Sequence, residues 1–244
     1  MKLYFIVFGI VLILFSCTTS PTTDTGSDPV DILMQNVKTA HGNLGDFQFV
    51  FRENKYSFKF NNNDYTYTKI IENDSVYQKD VLTNLGFYRT FYMDTVRLTE
   101  KEKEQYSEAL NSVIYFVCLP LKLDDPAVNK KYKGITEING ESYAVLEVSF
   151  DEEGGGKDHS DVFYYWFNQK NYQLDFLAYK YAVNGGGVRF RSAFNSRMVN
   201  GMRFQDYVNY GAPVGTALKD LPNLFLAGEL EELSEIITEN VEKL

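Results

Sequence analysis

Residues 3–15 run apolar without a charge, behind the basic Lys2 and ahead of Ser16 and Cys17. Thirteen helical residues span roughly 20 Å, short of the ~30 Å hydrocarbon core of a bilayer. Residues 1–16 therefore read as a cleaved export signal and not as a transmembrane anchor. Residues 17–27 lose all periodicity after Cys17 in a mixture of Thr, Ser, Pro and Gly, the composition of a flexible tether. A helical period then begins at Asp28-Pro29, with an acidic cap and a proline in the first turn. Val30, Leu33, Met34, Val37 and Ala40 form its apolar stripe, and His41-Gly42 marks its end.

From Phe47 the period drops to two. Phe47, Phe49 and Phe51 share one face of a strand, as do Tyr56, Phe58 and Phe60 on the next; residues 61–64 make a turn and 65–70 resume the alternation. Thr99 and Glu102 have capping-box spacing and open a helix bearing Tyr106, Ala109, Leu110, Val113, Ile114 and Val117, with Pro120 just beyond it. Strands are expected near 134–138, 141–150, 162–168, 173–183, 188–199 and 202–210, with Asn139-Gly140 and Asn200-Gly201 as tight hairpin turns. In an up-and-down meander successive connections alternate ends. The tight turns at 139–140, 169–172 and 200–201 then share one end, and the Gly-rich loops 151–161 and 184–187 share the other. That Gly-rich rim is the expected mouth of a site. Residues 228–244 place Leu230, Leu233, Ile236, Ile237 and Val241 at helical spacing and predict a C-terminal amphipathic helix.

The expected fold is α+β and mainly antiparallel: a curved sheet or incomplete β-barrel of about ten to eleven strands, with helices packed against it, in one domain over 28–244. Composition sharpens this. The 19 Phe and 18 Tyr fall mostly in the alternating segments, which favours strands. Loss of Lys2 with the leader takes the formal charge from −9 to −10, and no basic cluster offsets it, which argues against nucleic acid or anionic lipid headgroups as partners. Ser16 directly before Cys17 is what lipoprotein processing accepts, and with Cys17 then acylated Cys118 has no disulfide partner and reads as a small buried hydrophobe.

Three clusters are candidates for chemistry. The loop 151–161 gathers five carboxylates and one imidazole, so Asp151, Asp158, His159 and Asp161 could hold a hard cation such as Ca²⁺; it lacks the ligand spacing of the common calcium loop, and a solvated acidic loop is the alternative. Arg189, Arg191 and Arg197 fall on odd positions of one strand, opposite Phe190 and Phe194, where they would bind a carboxylate or phosphate, pair with the acidic loop or face solvent. The run Phe163-Tyr164-Tyr165-Trp166-Phe167 is apolar on both faces, so both faces must be covered, by helices or by something bound. Phe163, Tyr165, Trp166 and Phe190 are the candidate lining of an apolar pocket, and stacking on sugars is their other use. There is no Gly-x-Ser-x-Gly and no His-Glu-x-x-His, and the chain has two histidines, so no catalytic motif is present.

The lipobox-like Leu14-Phe15-Ser16-Cys17 is followed by Asn111-Ser112-Val113-Ile114-Tyr115-Phe116 and Leu119-Pro120. Further on come Tyr165-Trp166, Asp175-Phe176-Leu177-Ala178-Tyr179 and Gly185-Gly186-Gly187-Val188-Arg189-Phe190-Arg191. Together these segments resemble an uncharacterised family of Bacteroidota lipoproteins over roughly residues 30–212. More distantly, the order helix, strands, helix, strands resembles the periplasmic carriers of the LolA/LolB type, in which an incomplete barrel wraps an apolar cavity. The small Ser16 directly before Cys17 predicts a lipoprotein anchored by lipid on Cys17, and with no dense acidic run after Cys17 the expected place is the outer membrane with the domain in the periplasm. The expected partner is an apolar small molecule or lipid, with no cofactor apart from Ca²⁺ as a candidate. A glycan- or protein-binding surface module is the alternative, and a hydrolase the third reading.

Overall fold

The computed structural model describes residues 28–61, 64–153, 161–182 and 185–244. Helix α1 (Pro29–His41) begins where expected: the Asp28 side chain accepts from the Val30 N–H, Pro29 fills the first turn, and Lys38 and His41 occupy the last. Gly42 leaves the helix at φ +83°, and a β-carbon there would collide with the Gly201 carbonyl, so glycine is required twice over. Six strands follow: β1 (Phe47–Phe51), β2 (Asn54–Asn61), β3 (Asp64–Asn73), β4 (Val76–Thr83), β5 (Gly86–Phe91) and β6 (Asp94–Thr95). Helix α2 (Glu100–Val117) carries the complete capping box between Thr99 and Glu102. The second run is β7 (Val128–Ile138), β8 (Glu141–Phe150), β9 (Val162–Asn168), β10 (Leu174–Tyr181), β11 (Gly187–Val199) and β12 (Met202–Ala212). A short helix α3 (Leu221–Leu226) leads to β13 (Glu231–Ile236) and β14 (Glu239–Lys243).

All pairs are antiparallel, in two seven-stranded sheets ordered β14-β1-β2-β3-β4-β5-β6 and β13-β12-β11-β10-β9-β8-β7. The meander from β7 to β12 matches the sequence reading, and both Asn-Gly turns have positive φ at both residues, as a type I′ hairpin demands. The strands exceed the expected ten to eleven because residues 76–95 contribute β4 to β6 and residues 231–243 contribute β13 and β14. In β4 the consecutive buried residues Asp80, Val81 and Leu82 erase the alternation that would have revealed it.

The predicted C-terminal helix is corrected: residues 228–244 contain two strands. β13 adds to the edge of β12, and β14 adds to the edge of β1. Both edges carry backbone N–H and C=O groups that need partners, and pairing them outweighs a helical spacing that no neighbouring surface rewards. The last residues thus carry the chain from one sheet to the other. The crossing at Ile237-Thr238 is fastened by a buried polar knot. Asp206 Oδ1 accepts from the Thr238 N–H (2.9 Å) and hydroxyl (3.0 Å), and its Oδ2 accepts from Asn195 Nδ2 (2.6 Å) and Arg197 Nη1 (3.1 Å). Arg197 Nη2 also donates to the Thr238 carbonyl and hydroxyl.

Helix α2 serves both sheets. Leu110 and Ile114, with Tyr106, Val113 and Val117 beside them, pack on Phe47, Phe49, Tyr56, Phe58 and Tyr67 of the first sheet. The register opposes Phe47 to Phe58 and Phe49 to Tyr56, so the two aromatic stripes read from the sequence become one surface. Tyr115 and Phe116 turn instead to the second sheet, where they meet Phe163 and Tyr179. Cys118 is fully buried under the first cluster, and burial pushes its thiol up, out of reach of the reactive thiolate. Among the described residues no helix is long and apolar enough to cross a membrane.

Candidate functional site

Register across the second sheet builds one row on the face that looks toward α2. Leu146 opposes Tyr165, Tyr165 opposes Leu177, Leu177 opposes Arg191, Arg191 opposes Asn209, and Asn209 opposes Ser234. Directly opposed residues point the same way, so this row passes from apolar to polar as it approaches the edge strand β13. At its apolar end Tyr165 is fully buried and its hydroxyl meets that of Tyr115 on α2 at 3.0 Å. At its polar end the sheet and α2 part around a cavity of about 170 Å³.

Phe51, Val113, Phe116, Val117 and Ile236 give the cavity its apolar wall, and Gln205, Asn209, Ser234 and Thr238 its polar one; Arg52 and Arg191 are its cations. Arg191 is only 7% exposed. Its guanidinium lies 3.9 Å over the Phe116 ring, Nη2 donates to Tyr179 Oη (3.0 Å) and Nε to Asn209 Oδ1 (3.4 Å). The flanking phenols stay protonated: burial pushes Tyr207 up to about 12 and drives Tyr115 and Tyr165 upward as well. None of them neutralises the cation, which is held by ring faces and neutral acceptors.

The expected pocket residues divide by strand parity. Phe163 and Tyr165 share the α2 face with Arg191 and Tyr179. Trp166 and Phe190 are corrected to the opposite face, buried under Leu218, Leu221 and Phe225 of the α3 region, and so line no common cavity with the first pair. The covering of the doubly apolar strand β9 is therefore met by α1 and α2 on one side and α3 on the other. Arg189 shares the α2 face but bonds to the Tyr181 hydroxyl (2.7 Å), and Arg197 belongs to the knot around Asp206. Among the described residues, Arg189 and Arg191 take tyrosine, amide and aromatic partners.

At the Gly-rich rim, Asp158 and His159 lie outside the described residues, as does Asn184. Asp151 Oδ1 accepts from Asn129 Nδ2 (2.6 Å), and Asp161 is buried. Among the described residues no group of three or more His, Cys, Asp or Glu side chains could hold a metal ion. No described residue of either Gly-rich loop lines the α2 cavity, which opens instead at the seam where β13 gives way to β14. Sequence reading passed over Arg52, Asn209 and Ser234, because that seam exists only once residues 228–244 form strands. The available signal was the odd parity that Arg191 shares with Arg189.

Two open antiparallel sheets with helices packed against them define a LolA-like fold. A LolA superfamily protein from Nitrosomonas europaea superposes with a TM-score of 0.52 at 11% identity, over 88% of this chain and 93% of its own. A DUF1329 family protein from Desulfovibrio piger matches at 12% identity, over 89% of this chain and 94% of its own, with a TM-score of 0.46. Within that fold, residues 33–236 match a family of unknown function, DUF6503, and the chain belongs to it. None of the functionally curated proteins compared with the chain matches it.

Proposed function

We propose that this protein is a lipid-anchored envelope protein that binds an apolar ligand, a lipid or acyl chain, between α2 and its sheets, and that it performs no catalysis of its own. The observation that carries this reading is the cavity beside Phe116, walled by apolar side chains of α2, β1 and β13. A cavity of its size is comparable to the roughly 150 Å³ apolar cavities that take up a benzene ring. The aromatics that would have served glycan stacking, Phe163, Tyr165 and Trp166, are buried in the core, which favours the apolar-ligand reading over a surface lectin. His41 is fully buried at the end of α1 and away from this cavity, so it offers no general base there.

Native mass spectrometry of the full chain purified from the envelope of its own host tests the reading. The wild type is expected to carry a co-purifying lipid mass, and Val113→Trp, which fills the cavity, to lose it while keeping the wild-type circular dichroism. A bare polypeptide mass for the wild type would overturn it.

The anchor is part of the same proposal. Cys17→Ala removes the acyl chains, each buried methylene of which contributes about 0.8 kcal/mol to membrane attachment. The variant is expected to move from the membrane pellet to the soluble fraction; a variant still sedimenting with membranes would refute lipid anchoring.

A further inference from the structure

The cavity's charge runs against the rest of the molecule. The chain has 33 acidic residues against 24 basic ones, yet the cavity is lined by two arginines and, among the described residues, by no carboxylate. Arg191 has no ion-pair partner among the described residues, whereas two less buried arginines do: Arg89 pairs with Asp80 at 2.6 Å, and Arg197 with Asp206 at 3.1 Å. Its Nε and Nη2 are taken by Asn209 and Tyr179, and among the described residues no acceptor is paired with Nη1. A nearly buried guanidinium without a counter-charge is costly to hold, and the fold holds it beside free space.

From this we infer that the cavity binds an alkyl chain carrying an acid headgroup, with the acid on Arg191. The inference rests on the apolar-ligand reading above and names the class of ligand. A planar guanidinium presents paired donors that match a carboxylate or a phosphate oxygen pair, and burial strengthens that pairing. Arg52, exposed on the tight turn between β1 and β2, adds a second positive charge at the mouth and steers the acid inward. The alkyl end lies against Val113, Phe116, Val117 and Ile236. The composition's bias against anionic headgroups thus has a local exception, made by which two cations the fold places together.

The test is a competition within one sample. The full chain in a neutral detergent is offered equimolar decanoic acid, decyl phosphate and decanol, and adducts are counted by native mass spectrometry. The acids are expected to exceed the alcohol by about tenfold or more, the range of a buried charge-assisted hydrogen bond. A preference for the carboxylate or for the phosphate identifies which acid the site is built for. Arg191→Met is expected to abolish the preference while leaving the alcohol adduct. Arg52→Gln, at an exposed turn where folding is not at stake, is expected to weaken acid binding about threefold at low salt and to flatten its salt dependence. Equal adducts for all three compounds would overturn the headgroup inference and leave the apolar-ligand reading standing. A preference unchanged in both variants would overturn its assignment to these arginines, and the absence of every adduct would overturn both readings.

Discussion

Asp206→Ala is expected to lower the unfolding free energy by about 3–5 kcal/mol, the largest effect of any single side chain outside the aromatic core. The carboxylate is 1% exposed and accepts four hydrogen bonds, from Thr238 twice, Asn195 and Arg197. Its removal strands the partly buried Arg197 guanidinium and the Thr238 N–H at once, and leaving a buried donor unpaired costs more than the bond contributed. The damage is not local. Thr238 is the crossing point from β13 to β14, so loosening it frees the edges of β12 and β1 together. Urea denaturation of the two proteins measures the effect. A loss below about 1 kcal/mol would show that the knot does not hold the sheets to one another.

Acid lability is the second large effect. His41 is fully buried, and its Nε2 accepts from the Leu174 N–H at 3.2 Å, which ties the end of α1 to the start of β10. Burial, helped by the nearby Arg203 cation, pushes its pKa from 6.5 down to about 3. Between those values the unfolded chain takes up a proton that the folded one refuses, so stability rises with pH and falls on acidification. The contribution is complete above pH 6.5 and declines by about 1.4 kcal/mol per pH unit as the pH drops toward 3. From pH 7 to pH 5 the wild type is expected to lose about 2 kcal/mol from this residue alone. His41→Gln keeps an acceptor without a titrating ring, and its stability is expected to change less over the same interval by that amount. Parallel urea titrations at the two pH values decide it, and identical slopes for both proteins would refute the assignment.

Local signals in the chain were enough for both long helices and for the meander. Asp28-Pro29 and the Thr99–Glu102 pair are terminus codes read within four residues, and Asn-Gly at 139–140 and 200–201 sets hairpin register within two. The aromatic alternation in β1 and β2 and the unbroken aromatic run of β9 reported which positions are buried, because period two is a property of the strand itself. It also reported that β9 is covered on both faces. What it left open was the identity of each cover, and so Phe190 and Trp166 were grouped with Phe163 and Tyr165 across a sheet that separates them.

The site depended on contacts between distant segments. Arg191 meets Phe116 across 75 positions of sequence, Ser234 reaches the same row through β12, and Arg52 comes from the β1–β2 turn of the other sheet. Residues 228–244 carry a helical spacing that is real as a pattern; two unfilled sheet edges decided otherwise. The sequence by itself determined the caps, the turns and the in–out alternation of most strands, since each is a matter of neighbouring residues and local backbone geometry. The tertiary structure alone decided which sheet face received which helix, where the two sheets were joined, and that a buried arginine would end beside free space with no carboxylate among the described residues. Burial, edge pairing and charge compensation are sums over residues far apart in the chain, and no short stretch of sequence contains them.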